Sequence, residues 1–283
     1  MMMNFTTLHL SDDDFEHLSN YIQTEVGIKM PPAKRVMLES RLQKRLRALG
    51  IPSFKGYLER VFSGDTEELV HMIDVITTNK TDFFREPDHF EFLEQHVLPS
   101  IFEKKGESYP LNVWSAGCST GEEPYTLAMV LDRFAQSFGI KDFRITASDI
   151  SSKVLEHAEQ AIYSEEKIQN LSLEQKKEYF LKSKDPSARL ARVKKKLRSK
   201  VSFFRLNFMD NRYHMEGKYD VIFCRNVLIY FHKENQKKIL LRLGRSLKPH
   251  GYLFIGHSET MAGMDLPFIS VRPTVYTMDW SKL

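Results

Sequence analysis

The chain has 283 residues, a formal net charge of +4, 42% hydrophobic and 12% aromatic residues, enough for one large domain or two smaller ones with packed cores. No apolar run approaches the roughly 20 residues that span a bilayer, and residues 1–7 lack the basic flank and apolar core of a secretory signal. Cys118 and Cys224 have no disulfide or metal-ligand spacing. These features predict a cytoplasmic protein with free thiols.

The first 77 residues are predicted to form a small helical bundle. Ser11 precedes three aspartates and is a candidate N-cap, while Gly27 and Gly50 are candidate helix stops. The predicted helices span about 11–26, 33–49, 53–63 and 66–77.

The second helix is strongly basic. Residues 31–50 contain six Lys/Arg and a single acid, Glu39. Arg41, Lys44 and Arg47 step by three around one side. Such a surface is usually a solvated face; the sharper hypothesis is a docking face for an acidic partner.

Residues 77–86 form a polar stretch that contains Phe83, Phe84 and Arg85. A segment that only joined two domains would have little use for paired aromatics and an arginine. It either folds back over a ligand or begins the next helix, predicted at about 88–102, with the two phenylalanines packed in the core.

A strand, a glycine-containing turn and a helix follow from residue 111. The predicted strand Leu111–Ser115 runs into Gly117 and Gly121, and a helix is predicted over 124–138. Glycine lets the backbone turn sharply close to a ligand, at which the helix N-terminus would point. A plain tight turn remains the alternative, because G-x-G-x-x-G spacing is absent.

A second strand, predicted over 143–150, ends near Asp149, and a helix follows over 152–161. Alternating strands and helices predict a doubly wound parallel sheet, which binds ligands at the carboxyl ends of its strands. A carboxylate there can accept hydrogen bonds from both hydroxyls of a ribose.

Residues 163–200 interrupt this alternation. The stretch 182–200 carries nine Lys/Arg against one acid, Asp185. We expect an exposed basic insertion with a helix at 173–181 and a small antiparallel piece at 190–193. It could bind nucleic acid, an acidic protein surface or nothing.

The main sheet then resumes. Strands are predicted at 201–208, which Asn207 closes, at 219–226 and at 252–256. A helix over 233–247 is broken by the sequence Lys-Pro-His-Gly at 248–251. Two last strands, 268–271 and 274–278, flank Arg272-Pro273 and predict a hairpin.

Together these elements match the plan of class I S-adenosylmethionine (SAM) methyltransferases: five alternating strands, a terminal hairpin, a glycine turn after the first strand and an acid after the second. A dehydrogenase would normally show G-x-G-x-x-G and another parallel crossover instead of the hairpin. The predicted fold is therefore α/β, a Rossmann-like doubly wound sheet with a terminal antiparallel hairpin, a small N-terminal all-α domain and a small antiparallel insertion.

Five stretches closely resemble the chemotaxis receptor-glutamate methyltransferases, the CheR family, in order and over nearly the whole chain. They are Thr-Asn-Lys-Thr-Asp-Phe-Phe-Arg-Glu (78–86), Trp-Ser-Ala-Gly-Cys-Ser-Thr-Gly-Glu-Glu-Pro-Tyr (114–125), Ala-Ser-Asp-Ile (147–150), Phe-Cys-Arg-Asn-Val-Leu-Ile-Tyr-Phe (223–231) and Leu-Phe-Ile-Gly-His-Ser-Glu (253–259). The resemblance implies a receptor-docking domain, 1–77, and a methyltransferase domain, 78–283.

The resemblance also implies the reaction. The methyl group of SAM passes to glutamate carboxylates on the cytoplasmic helices of chemoreceptors, giving methyl esters and S-adenosylhomocysteine. We predict no general base, because a glutamate with a pKa near 4.3 is already an anion at neutral pH. No metal is expected either. A cytoplasmic monomer that neither binds nucleic acid nor inserts into the membrane is expected.

The matched motifs assign the site. Arg85 is expected to pair with the methionine carboxylate of SAM or to steer the substrate carboxylate, and Tyr230 corresponds to the tyrosine proposed for the family's active site. Glu123 is expected to contact the methionyl amino group, with Glu122 as its rival. The predicted cofactor-binding residues are Asn79, Thr81, Arg85, Glu123, Asp149, Asn207, Phe208, Arg225 and Asn226.

The resemblance also bears on the surfaces. It favours the docking interpretation of Arg41, Lys44 and Arg47. The insertion corresponds to a subdomain that captures a receptor tail peptide by strand addition in some members. The loop 182–189 departs from their glycine-rich version, which puts that capture in doubt. Packed roles are expected for Cys118, Cys224, Trp114 and Phe223, and a local bond for His257.

Two rival functions are weaker. A nucleic-acid methyltransferase would suit the basic insertion. Base-amine methylation, however, needs a polar-Pro-Pro-aromatic loop where this chain has Arg225-Asn226-Val227-Leu228, and a cytosine-C5 enzyme needs a Pro-Cys nucleophile. A non-catalytic SAM-binding regulator is disfavoured by the presence of Arg85, Asn226 and Tyr230.

Overall fold

The structure is a computed structural model that describes residues 8–140, 142–215 and 218–282. The predicted lack of a secretory leader rests on residues 1–7, which lie outside these ranges. Among the helices of the described ranges, none combines the length and apolar character that crossing a bilayer requires.

The described elements follow the predicted order. The helices are α1 Asp12–Tyr21, α2 Arg35–Leu49, α3 Phe54–Phe62, α4 Thr66–Ile76, α5 Pro87–Phe92, α6 Leu98–Lys105, α7 Glu122–Phe138, α8 Ser152–Gln160, α9 Leu173–Tyr179, α10 Lys195–Arg198 and α11 Lys233–Ser246. The strands are β1 Leu111–Ala116, β2 Phe143–Asp149, β3 Ile162–Ser164, β4 Phe180–Lys182, β5 Leu190–Val193, β6 Val201–Arg205, β7 Tyr219–Cys224, β8 Leu247–Ile255, β9 Phe268–Arg272 and β10 Val275–Met278.

The N-terminal bundle, α1 to α4, packs around a leucine stripe of α2. Leu38, Leu42 and Leu46 are fully buried, and each contributes roughly 1.5–3 kcal/mol by leaving water. The Ser11 hydroxyl accepts the Asp14 backbone N–H and caps α1 as predicted. Gly50 ends α2 in the left-handed conformation at φ 68°, as its position predicted.

The helix predicted over 88–102 is divided. Residues Leu93–Val97 form a π-helical turn between α5 and α6, and Pro99 occupies the first turn of α6. Proline has no N–H to donate to the preceding turn. The regular α-helical ladder therefore cannot continue unchanged through this point.

The central sheet has seven strands in the order β6-β2-β1-β7-β8-β10-β9. The first five are parallel to one another, and β10 pairs antiparallel with both β8 and β9. This arrangement confirms the doubly wound sheet with a terminal hairpin. It also places the ends of β2, β1 and β7 side by side.

The prediction for residues 248–251 was wrong. They do not separate helix from strand, because β8 already begins at Leu247, which pairs with Tyr219 of β7. Pro249 and Gly251 indicate a turn by local propensity. In the structure they belong to β8, and the pairing of β8 with β7 is irregular there. The register shifts between Tyr219 and Val221, and His250 has φ 67°.

The insertion forms the predicted antiparallel piece, a three-stranded sheet in the order β3-β5-β4. Phe83 of the linker packs edge-on against Tyr163 and Phe180, with ring centroids 5.0 and 5.7 Å away. Its predicted role as a core residue is therefore confirmed. The predicted helix 173–181 ends earlier, at Tyr179, because Phe180 already belongs to β4.

Other predicted boundaries move by a few residues. β6 ends at Arg205, so Asn207 lies beyond the strand. α7 begins at Glu122 rather than at Pro124, since proline is tolerated in the first turn of a helix. As predicted, four side chains are buried in the core: Trp114, Cys118, Phe223 and Cys224.

The bundle contacts the carboxyl-end side of the sheet directly. The Lys29 N–H donates to the Tyr230 carbonyl at 2.8 Å, and Ile28 forms an antiparallel bridge with Phe231. The Asn207 side-chain amide donates to the Glu25 carbonyl at 2.7 Å. These bonds bring the loop after α1 over the strand ends.

Candidate active site

A cavity, partly open to solvent, lies where the bundle, the linker 77–86 and the strand ends meet. The residues predicted to be catalytic or cofactor-binding all line it: Asn79, Thr81, Arg85, Glu123, Asp149, Asn207, Phe208, Arg225, Asn226 and Tyr230.

The glycine turn after β1 forms part of the cavity wall. Gly117 has φ 84°, and a Cβ built on it would lie 2.5 Å from Cγ2 of Val227. Only glycine therefore fits, for both backbone and steric reasons. The N–H groups of Gly117 and Cys118 donate to the Ser148 carbonyl at 2.8 and 2.9 Å and fix the turn beside β2.

Asp149 lines the cavity at the end of β2. One carboxylate oxygen accepts the Ser119 N–H at 2.9 Å and the other accepts the Ser151 N–H at 3.0 Å. Each oxygen keeps a free lone pair. Burial raises the pKa of this carboxyl, and the backbone hydrogen bonds oppose the rise.

The two neighbouring glutamates at the start of α7 point to different places. Glu123 lines the cavity; its Oε1 accepts the Ser115 hydroxyl at 2.7 Å and its Oε2 lies 3.4 Å from the Arg225 guanidinium. Glu122 is buried away from the cavity and accepts the Thr120 hydroxyl at 2.6 Å. Consecutive residues of a helix point about 100° apart, which explains the difference.

Arg225 is a buried clamp rather than a free cation. Its guanidinium donates twice to Glu86 Oε2, at 3.2 and 3.0 Å, and contacts Glu123 on the other side. It also donates to the Arg85 carbonyl. Since Glu86 belongs to the linker and Arg225 follows β7, this ion pair holds the linker against the sheet.

Glu86 was missed by sequence reasoning, although it stands in a quoted motif. Its Oε1 accepts the Asn226 amide at 3.0 Å and the His257 N–H at 3.3 Å. Burial acts to raise the pKa of Glu86, but the bonds from Asn226 and the charge of Arg225 bring it below its usual value.

His257 does not bond locally, and that prediction was wrong. Its Nε2 lies 3.1 Å from Asp88, which is far away in sequence. The potential metal-ligand atoms of Glu86, His89 and His257 lie within 4.8 Å of one another. Both oxygens of Glu86 are already engaged, as described above, so we assign this cluster to holding α5 against the end of β8.

Glu259 was also missed. Its carboxylate accepts the backbone N–H groups of Gly256, Asn226, Val227 and Leu228 at 2.6 to 3.0 Å. These bonds support Asn226 in the left-handed conformation at φ 58°. A carboxylate suits four converging donors because it only accepts hydrogen bonds.

The linker covers the cavity from one side. The Asn79 carbonyl accepts the Ser119 hydroxyl at 3.2 Å, and the Thr81 carbonyl accepts Lys167 Nζ at 2.7 Å. The Arg85 side chain donates to the Lys80 carbonyl at 2.9 Å. Both interpretations of the linker therefore hold: it lines a ligand cavity, and Phe83 anchors it in the core.

The proposed docking residues lie outside the cavity lining. Lys44 and Arg47 are exposed on α2. Arg41 is half-buried, and its guanidinium donates to the carbonyls of Ile76 and Thr77 at 3.0 and 2.8 Å, at the end of α4. Arg41 thus has a structural contact that sequence periodicity did not indicate.

Comparison with known proteins identifies the family. The model of the CheR methyltransferase SAM-binding domain matches residues 79–277, and that of the CheR methyltransferase all-alpha domain matches residues 13–77. The chain belongs to the CheR methyltransferases. It is therefore a SAM-dependent methyltransferase.

Full-length relatives agree with this assignment. A chemotaxis protein methyltransferase of Escherichia coli (strain K12) is 40% identical over 274 residues, covering 96% of this chain and 92% of the relative. One from Borreliella burgdorferi is 37% identical over 260 residues, covering 90% and 91%.

The chemistry of the CheR cavity fits SAM. Three carboxylates lie in the lining, Asp82, Glu123 and Asp149, and acidic groups suit a molecule with an amino group, a sulfonium and a ribose diol. The acidic start of α7 would repel a pyrophosphate. Phe208, whose ring lies 6.2 Å from that of Phe231, offers an apolar surface for an adenine.

Proposed function

We propose that this CheR methyltransferase transfers the methyl group of SAM to glutamate side-chain carboxylates of chemoreceptors, giving glutamate methyl esters and S-adenosylhomocysteine in chemosensory adaptation. The observation that carries the site assignment is the gathering of Asp149, Glu123 and Tyr230 around one cavity. These residues come from β2, from α7 and from the segment after β7.

At the cofactor end, Asp149 accepts hydrogen bonds from the ribose hydroxyls through its free lone pairs. Glu123 accepts from the methionyl amino group, and its position in the cavity wall favours it over Glu122. Asn207 and Phe208 flank the adenine, while Asn79, Thr81 and Asn226 complete the polar lining. Arg85 binds either the methionine carboxylate or the incoming substrate carboxylate, because a guanidinium suits both.

At the reaction centre, bound SAM supplies a methyl group carried on a sulfonium. When the substrate oxygen bonds to the methyl carbon, the electron pair of the carbon–sulfur bond stays on sulfur. The substrate glutamate is ionised at neutral pH, so no residue of the chain has to remove a proton. The enzyme's residues contribute positioning and exclusion of water. Tyr230 and Arg85 are the side chains we assign to this task.

Lys44 and Arg47, with Arg41 beside them, form the face that meets the acidic receptor helices. Capture of a receptor tail remains a prediction; it would use an edge of the small sheet, where β4 is paired on one side only within the described residues. We place the reaction in the cytoplasm, where the family resemblance puts the methyl-accepting helices, and we take a monomer as the working form.

Peptide mapping by mass spectrometry tests the proposal. Receptor-containing membranes are incubated with SAM and enzyme, digested and compared with a reaction that lacks enzyme. The expected result is the mass of one added methylene on receptor peptides, localised to glutamate side chains. Methylation confined to RNA, or to lysine or arginine side chains, would support a different methyltransferase.

A further inference from the structure

Lys34 is the residue through which the N-terminal bundle places a cation in the active-site cavity. It ends a 3₁₀ turn, Pro32–Lys34, just before α2, and it lines the same cavity as Asp149 and Tyr230. Its Nζ donates to the Lys29 carbonyl at 2.9 Å and lies 5.7 Å from the Tyr230 ring centroid. An ammonium has three donor hydrogens, so two remain for another partner.

The surroundings of Lys34 contain no acidic partner. Among the described residues, no carboxylate lies within ion-pairing distance of its Nζ, whereas Arg225 in the same lining pairs with Glu86 and Glu123. Lys34 is half-buried. Burial and the charges of Lys29 and Arg41 lower its pKa. A partly desolvated cation among other cations costs free energy that a bound anion would offset.

We propose that Lys34 binds the carboxylate of the methyl-accepting glutamate as it enters the cavity. This inference rests on the proposed function. Of the acids that line the cavity, Glu123 and Asp149 belong to the sheet side, where the cationic parts of SAM fit, and Asp82 belongs to the linker. Lys34 belongs to the bundle wall and stands beside Tyr230, the tyrosine assigned to the reaction centre.

The charge on Lys34 should act more on binding than on rate. The substrate carboxylate loses its negative charge as the ester forms, so a neighbouring cation stabilises the bound substrate more than the transition state. Removing that cation therefore raises KM for the receptor without lowering kcat.

The test compares Lys34→Gln and Lys34→Arg with the wild type. Glutamine keeps a donor for the Lys29 carbonyl but removes the charge, and arginine keeps the charge. Lys55→Met is the control, since Lys55 is exposed on α3. Initial methylation rates are measured against receptor concentration at saturating SAM. Affinity for S-adenosylhomocysteine is measured by calorimetry, and folding is checked by thermal unfolding.

We expect Lys34→Gln to raise the receptor KM roughly 10- to 100-fold, the effect of losing a hydrogen bond to a charged group, with kcat within a few-fold and product affinity unchanged. Lys34→Arg should recover most of the loss, and Lys55→Met should behave as wild type.

An unchanged KM in Lys34→Gln overturns this inference but leaves the proposed function standing. Weaker S-adenosylhomocysteine binding with an unchanged KM overturns it by making Lys34 a cofactor contact. A wild-type enzyme that leaves receptor glutamates unmodified overturns the proposed function, and the inference with it.

Discussion

At the scale of single residues, the site consists of carboxylates whose neighbours give them different tasks. Asp149 is held by two backbone N–H groups and keeps lone pairs toward the cavity. Glu259 is fully occupied by four backbone donors and supports the turn after β7. Glu86 neutralises a buried arginine. The same functional group thus binds ligand, shapes backbone or balances charge.

Replacing Asp149 by asparagine tests the ribose assignment. The amide keeps the size of the side chain but loses the charge, and one end becomes a donor that faces a backbone N–H. We expect affinity for S-adenosylhomocysteine to fall about 10- to 100-fold, the equivalent of one or two charge-assisted hydrogen bonds. Calorimetric titration measures this. Asp13→Asn, at an exposed position of α1, is the control, and undiminished affinity in Asp149→Asn refutes the role.

The pH dependence of cofactor binding tests Glu123. Burial raises the pKa of this carboxyl, against the effects of Arg225 and Ser115. Only the ionised carboxylate of Glu123 can pair with Arg225 and also accept a hydrogen bond from the ammonium group of the ligand. Because the pKa is raised, acidification should weaken S-adenosylhomocysteine binding at pH values already above the ordinary glutamate range near 4.3.

The matched variant for that titration is Glu123→Gln, with Glu103→Gln on the exposed face of α6 as the control. Glu123→Gln should bind more weakly at neutral pH and should lose part of the acid-side slope. If its binding curve keeps the wild-type pH dependence, another group titrates and Glu123 is not the amino-group contact.

At the scale of secondary-structure elements, the strand–turn–helix unit from β1 to α7 positions the site. Gly117 and Gly121 both have positive φ, 84° and 96°, so the chain turns sharply between strand and helix. The turn lies against Val227 of the segment after β7. Two neighbouring parallel strands thereby determine the shape of one cavity wall.

Gly117→Ala tests this packing against a matched glycine. Gly50 also has positive φ, but nothing lies within 4 Å of a Cβ built there. Gly50→Ala should therefore cost only the left-handed strain, about 1–2 kcal/mol, whereas Gly117→Ala should cost about 2–4 kcal/mol in the free energy of unfolding because a clash is added. Urea unfolding measures both. The double variant Gly117→Ala/Val227→Ala should recover the part of the free energy of unfolding that the clash removes. Equal losses in Gly50→Ala and Gly117→Ala would contradict the account.

Elements were predictable where local chemistry decides them. The caps at Ser11 and Gly50 and the acid at the end of β2 follow from hydrogen-bonding capacity and backbone freedom within a few residues. The path of β8 through residues 248–251 could not be predicted from the local sequence, because pairing with β7 overrides the turn preference of Pro249 and Gly251.

At the scale of the whole molecule, the cavity depends on contacts between distant parts of the chain. Arg225 and Glu86 are 139 residues apart, and Lys34 enters from a separate bundle. Matched motifs indicated which residues belong to the site, but no local pattern shows that two of them form an ion pair. The sequence also kept Glu122 as a rival to the predicted Glu123, and the direction of each side chain from α7 puts only Glu123 in the cavity lining.

Receptor docking is predicted to depend on charge. Lys44→Glu and Arg47→Glu should each raise the receptor KM several-fold without changing the thermal midpoint, and added salt should weaken wild-type methylation by screening the same attraction. Arg41→Ala should differ by also lowering the free energy of unfolding by about 1–2 kcal/mol, because its guanidinium bonds to the end of α4. A wild-type rate that is insensitive to salt would exclude this face from docking.

The central claim, a glutamate methyl ester made from SAM, is tested most directly by the alkali lability of the transferred label. Receptor-containing membranes are incubated with tritiated SAM and enzyme, and the labelled receptor is treated with mild base. The account predicts that the label leaves as volatile methanol, and that Asp149→Asn labels far less at limiting SAM. Label that stays on the receptor after base, or that appears only on RNA, would contradict it.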